Sequence, residues 1–226
     1  MNGAGTAPER LTITARSGSI VVRTASGPGI EATGAKVKLE GDGSTRIEGG
    51  SQKIDVVCPE GTDLILGTSS GKVSLEGPLG DVRITGSSGS MRVEQARSLD
   101  LRVRSGSVEI GAVAGHCRVV AVSGRIEVDR AGSIDLTGVS GTVAVGSAGG
   151  GTVRTTSGRV SVGLDRPADL EVKGISGTME IDVARGIAPE LRLHTVSGRI
   201  KRDLEPGHDC VISVRTVSGS ITVRWT

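Results

Sequence analysis

His208-Asp209-Cys210 sets an imidazole, a carboxylate and a thiol side by side, the residue types of a nucleophilic triad. In an extended segment neighbours point to opposite faces, so the three cannot converge, and a general base would need a partner from elsewhere in the chain. The segment reads instead as a surface loop running into a buried Cys. A second constellation gathers Asp165, Asp169, Asp182, Glu190, Asp203, Glu205 and Asp209 with Arg166, Arg185, Arg202 and His208. Enzymes that cleave acidic polysaccharides place such groups on stacked strands, which makes an acidic-polysaccharide lyase or hydrolase the third reading of this chain. Phe and Tyr are absent and Trp225 is the single Trp, so there is no platform on which sugars or single-stranded nucleic acid could stack.

His116, His194 and His208 do not form a metal spacing, and the three cysteines, Cys58, Cys117 and Cys210, are far apart with no CxxC pair. Gly149-Gly150-Gly151 runs into Thr152-Val153 without the Asp of a calcium-binding nonapeptide. The expectation is a non-enzymatic chain with no catalytic, metal or cofactor residues. Lys plus Arg is 27 against 25 Asp plus Glu, interspersed rather than in blocks, which implies neither a nucleic-acid partner nor direct membrane insertion. No run approaches the ~18 apolar residues of a membrane span and Met1 to Pro8 lacks the pattern of a secretory signal, so the chain as written reads as cytoplasmic, with envelope association only through a partner.

What positions all of these groups is a repeat. The phrase Thr155-Thr156-Ser157-Gly158-Arg159-Val160-Ser161-Val162 recurs, with Ser-Gly pairs at Ser17, Ser70, Ser88, Ser105, Ser123, Ser140, Ser157, Ser176, Ser197 and Ser218. The first apolar residue after each corner is Ile20, Val37, Ile54, Val73, Met91, Val108, Ile126, Val143, Val160, Met179, Ile200 or Ile221, with Val37 and Ile54 having lost the Ser-Gly. A second apolar residue follows two positions later in every repeat except at Arg202. That period of two marks one buried face. Each repeat carries another such pair, for example Ile134/Leu136 and Leu170/Val172. Like residues at like phase every 17 to 21 residues predict an all-β, single-domain parallel β-solenoid (β-helix) of about twelve coils, each ~4.8 Å above the last. Residues 1–10 read as a flexible N-terminal segment and 11–226 as the solenoid domain.

Three features of this repeat point to partners. The extra residues of the later repeats fall at one corner, around Arg185, Pro189, Glu205 and His208, and insertions on one edge of a repeat array often form its binding face. The residue before the corner Ser is Arg16, Ser69, Ser87 and Arg104 early on, then Val122, Val139, Thr156, Ile175, Val196 and Val217. If alternation holds through the corner, these form an exposed apolar stripe; if the corner breaks it, they are buried. Finally, an unpaired end coil is a sticky edge, and the coil ending in Trp225 is the candidate, its ring either plugging the core or packing into a second molecule.

With the Ser-Gly ladder in view, Leu11 to Val223 resembles the bacterial putative-adhesin family of unknown function, whose members are solenoids on this kind of Val/Ser/Gly repeat. The architecture is also similar to that of the bactofilins, which polymerise end to end. The resemblance implies shape and no catalytic residues. The leading expectation is a structural or interaction scaffold that self-associates through coil ends or the apolar stripe, or takes a protein partner, and the alternative is an envelope adhesin-like binding module.

Overall fold

The computed structural model describes residues 10–27, 29–41 and 44–226. Nearly all of the segment expected to be flexible lies outside them. The described chain is all-β, without a helix. Its elements are β1 (Arg10–Ala15), β2 (Ser19–Ala25), β3 (Glu31–Thr33), β4 (Lys36–Leu39), β5 (Thr45–Gly49), β6 (Ile54–Pro59), β7 (Asp63–Ala148), β8 (Gly151–Leu164), β9 (Leu170–Gly174), β10 (Ser176–Val183), β11 (Glu190–Asp203) and β12 (Val211–Trp225). β7 is a continuous ribbon of extended chain through several repeats.

Apart from β3 and β4, pairing between repeats is parallel, and it joins like to like: Ser140 with Ser157, Gly141 with Gly158, Val143 with Val160 and Val145 with Val162. Because the paired residues share a phase, each apolar position becomes an inward column. Val128, Val145 and Val162 form one, 1 %, 3 % and 0 % exposed. Ile134, Leu136, Val153, Leu170, Val172, Ile212 and Val214 belong to the columns across the core, all buried. A third inward position, not read from the sequence, is filled by Leu79, Ala96, Val113, Ala131, Ala148, Leu164 and Val183. Branched aliphatics stacked in register fill this thin interior without a single Phe or Tyr.

The Ser-Gly corner is dictated by backbone crowding. Gly141 and Gly158 hold φ of +129° and +130°, where a side chain is strained. A methyl built on Gly158 would lie 2.0 Å from the carbonyl oxygen of Gly141, and one on Gly141 the same distance from that of Gly124. Glycine therefore forms a column from Gly18 onward, and at the level beyond Gly18 the corner is Ser51-Gln52 instead. The Thr two residues before the corner Ser braces it from inside: Thr155 and Thr68 donate their hydroxyls to the carbonyls of Ser157 and Ser70, each at 3.2 Å. A Ser hydroxyl can also tie one repeat to the next, as Ser17 does by donating to Ser51 at 2.9 Å.

The order of the stack departs from the order of the chain at both ends. β1 pairs on one side with β5 and on the other with the start of β7, and β2 likewise lies between β6 and β7. The first repeat is thus the third level from its end, and the excursion that lets the chain pass beneath it is β3 and β4, which run antiparallel to β6 and β5. At the other end β12 is held between β9/β10 and β11, so β11, not β12, is the outermost strand. Three expectations are corrected by this order. Val37 and Leu39, placed inward by the repeat, are 46 % and 82 % exposed in the reversed β4; Ile200 is 41 % exposed because no described strand covers the outer side of β11. The repeat ending at Trp225 is not the free end, and Trp225 is half-buried, packed against the core from an interior strand.

The longer corners have the same cause. Ala184 to Pro189 carries the chain past the level that β12 occupies, and Glu205 to Asp209 brings it back. The two connections lock onto each other. Asp209 Oδ2 accepts the Ala188 amide at 2.8 Å, Asp209 N–H donates to Ala188 O at 3.0 Å and Gly207 N–H to Pro189 O at 3.0 Å.

Candidate interaction surface

Alternation holds up to the corner Ser and shifts by one at the Ser-Gly itself. The residue before the Ser points out in the later repeats, with Val122 49 %, Val139 48 %, Ile175 54 %, Val217 51 % and Val196 74 % exposed. Pairing fixes their order in space. Val139 is flanked by the pairs Gly138/Thr155 and Ser140/Ser157, so it stands beside Thr156; the amides of Val217 and Ser218 both donate to Ile175 O; and the pairs Thr195/Thr216 and Ser197/Ser218 set Val196 beside Val217. The result is one ridge, Val122, Val139, Thr156, Ile175, Val217, Val196, interrupted only by the exposed Thr156. In the first half of the stack the same column holds Arg16, Ser69, Ser87 and Arg104, all exposed and polar.

The columns beside the ridge are basic. Two residues before it stand Arg154, Lys173, Arg215 and His194, paired in that order, and three residues after it stand Arg125, Arg159 and Arg199, spaced by Thr142, Thr178 and Ser220. No carboxylate occurs in either column through these repeats. The acids lie one column further out and hold some of the cations: Arg154 reaches Asp135 at 3.8 Å, Lys173 reaches Glu171 at 2.7 Å and Arg125 reaches Glu127 at 3.1 Å. The ammonium of Lys173 accordingly holds the Glu171 carboxyl below the ordinary range. Among the described residues Arg159, Arg199 and Arg215 make no ion pair within 4.0 Å, although Arg215 adds to the field that lowers Glu171. Composition hid this, because a period of 17 scatters one spatial column along the whole sequence.

The insertion corner gathers only part of what was expected of it. Arg185, Glu205 and His208 are exposed, but Pro189 is buried beside Ile187 and belongs to the interior of the clasp. Within His208-Asp209-Cys210 the three side chains diverge: His208 is exposed, Asp209 is spent on the Ala188 amide, and Cys210 is 7 % exposed with its thiol pushed up by burial. Cys117, buried further in, is pushed up to about 12. Neither thiol is a nucleophile at neutral pH.

A shallow groove of about 390 Å³ follows another corner, floored by Ala96, Val113 and Ala131 and walled by Arg97, Arg130 and Arg166. Arg97 bridges Asp63 at 3.1 Å and Asp81 at 2.8 Å, and its hydrogen bond draws the Asp81 carboxyl below its usual range. Arg166 lies across the backbone, donating to Gly132 O at 3.4 Å. Sequence reasoning missed this groove; its one signal is the run of small residues at the third inward position.

No curated protein matches the chain. Among solved structures, a putative cell adhesion protein from Clostridium sporogenes ATCC 15579 is similar over 100 % of this chain and 96 % of its own, at 8 % identity and a TM-score of 0.28. Residues 4–224 match the Toastrack DUF4097 family, over the same repeats that build the stack, and the chain belongs to that family.

Proposed function

We propose that this protein is a rigid, non-enzymatic scaffold, a parallel β-solenoid of about twelve coils that offers its apolar ridge to a partner. The observation that carries the reading is the exposure of Val139, Ile175, Val196 and Val217 in one column, whereas the other exposed aliphatics away from this column, Val37, Leu39, Ile65 and Ile200, are scattered. Contiguous exposed apolar side chains on a soluble surface mark a contact. The charged insertion corner, with Arg185, Glu205 and His208, borders the same half of the stack and is the second face available to a partner. The buried thiols and the diverging His208-Asp209-Cys210 side chains favour binding over catalysis.

Self-association belongs, in this reading, to the free edge of β11 rather than to Trp225. That edge carries Arg192, His194, Arg199, Lys201 and Arg202, and β4 at the opposite end carries Lys36 and Lys38. Basic side chains on an edge oppose pairing with another edge. End-to-end contact should therefore be weak at low salt and strengthen as salt screens the repulsion, above about 0.3 M. Light scattering across a concentration series at both salts tests this, with Ile200→Asp expected to weaken any assembly. A strict monomer under every condition would remove self-association and leave a monomeric scaffold.

A further inference from the structure

We propose that the ridge seats this protein on an anionic lipid bilayer, an inference that rests on the ridge being the partner-facing surface. Three candidate occupants compete for it: a second copy of the chain, an amphipathic helix of another protein, and a membrane surface.

Charge weighs against a second copy. Pairing two ridges about a twofold would bring Arg159, Arg199 and Arg215 of each chain towards those of the other, with no carboxylate in the flanking columns to accept them. Shape weighs against a helix. Helices dock in grooves, with their apolar face enclosed on both sides, whereas these side chains stand on a convex Ser-Gly corner, roughly half or more exposed. A bilayer interface meets both constraints. It deforms around a convex edge, takes apolar side chains among its headgroups, and supplies phosphates on either side for the flanking cations.

The dimensions agree. Six levels at about 4.8 Å give a straight line of ~24 Å, so all five aliphatics reach one plane together. The Ser hydroxyls of the corner, Ser140 and Ser218 among them exposed, lie at headgroup depth between the apolar line and the arginines. Membrane contact would be confined to the later half, since Arg16, Ser69, Ser87 and Arg104 continue the column without apolar side chains. Five half-exposed aliphatics are too few to anchor the protein alone, so binding should need anionic lipid and be reversed by salt.

Cosedimentation with large unilamellar vesicles tests this, using phosphatidylcholine alone and phosphatidylcholine with about one-third phosphatidylglycerol. The wild type should bind the anionic vesicles at least ~10-fold more tightly, and release them as salt rises. Ile175→Asp with Val217→Asp should abolish binding, Arg159→Gln with Arg215→Gln should weaken it, and Arg104→Gln, on the polar half, should leave it unchanged. Circular dichroism checks that each variant folds. An environment-sensitive apolar dye reads the ridge independently, its fluorescence falling in the Ile175→Asp, Val217→Asp variant. Dye response without vesicle binding would overturn the bilayer and keep the ridge as a partner surface. Loss of both would overturn the underlying reading too. Vesicle binding indifferent to the ridge variants, or a ridge-dependent dimer without lipid, would also overturn the proposal.

Discussion

The smallest unit that decides this fold is the corner glycine. Gly141 is strained for any side chain by its φ of +129°, and a methyl there would meet the Gly124 carbonyl at 2.0 Å. Backbone, unlike the tip of a flexible side chain, cannot step aside. Gly141→Ala should therefore cost more than Val145→Ala, which deletes two methyls from a fully packed column and should cost about 1 to 3 kcal/mol; chemical denaturation of the two variants compares them directly. Cys117 supplies a pH test. Burial raises its thiol from 9.0 to about 12, so its contribution to stability is whole below pH 9 and is lost as pH climbs towards 12. The denaturation midpoint should fall over that range, and fall less in Cys117→Ala. Thiol reagents should label it only as the protein unfolds.

At the scale of elements, the connections at the β11 end are structural. Ala184 to Pro189 has to pass the level of β12, and its Ile187 and Pro189 are buried. Shortening this segment should leave β11 out of reach of β12 and abolish its hydrogen-exchange protection, while β7 stays protected. Asp209→Ala should open the clasp at a cost of about 1 to 2 kcal/mol, leaving the Ala188 amide unpaired. These elements also show where the sequence stopped being legible. The Ser-Gly period reveals strands, corners and inward columns, and Val128, Val145 and Val162 lie as their phase requires. It cannot reveal who pairs with whom. Every repeat offers the same apolar column at the same phase, so β12 fits on β10 as well as β11 does, and only the lengths of the two connections hint at the exchange. The ridge was visible as a column of Val and Ile, but its exposure depended on how the corner turns, and its basic flanks on the stacking order.

For the whole molecule, the decisive property is that its free faces are unlike. One end carries the reversed strands β3 and β4, the other the uncovered β11, and between them a polar corner column becomes an apolar one halfway along. Removing residues 211–226 should do more than shorten the stack. Among the described residues β11 pairs with β12 alone, so both levels should be lost together, giving a smaller protected core by hydrogen exchange and a loss of the Val196 and Val217 end of the ridge. The same dependence sets a timetable during synthesis. Residues 190–203 leave the ribosome before residues 211–225, yet the surface they pair with does not exist until the later segment has been made and has docked on β9 and β10. The outermost level therefore cannot take its final place until its own successor has slipped in beneath it. A chain stalled between Asp203 and Val211 would hold every earlier level folded and lack the surface on which this one finally rests.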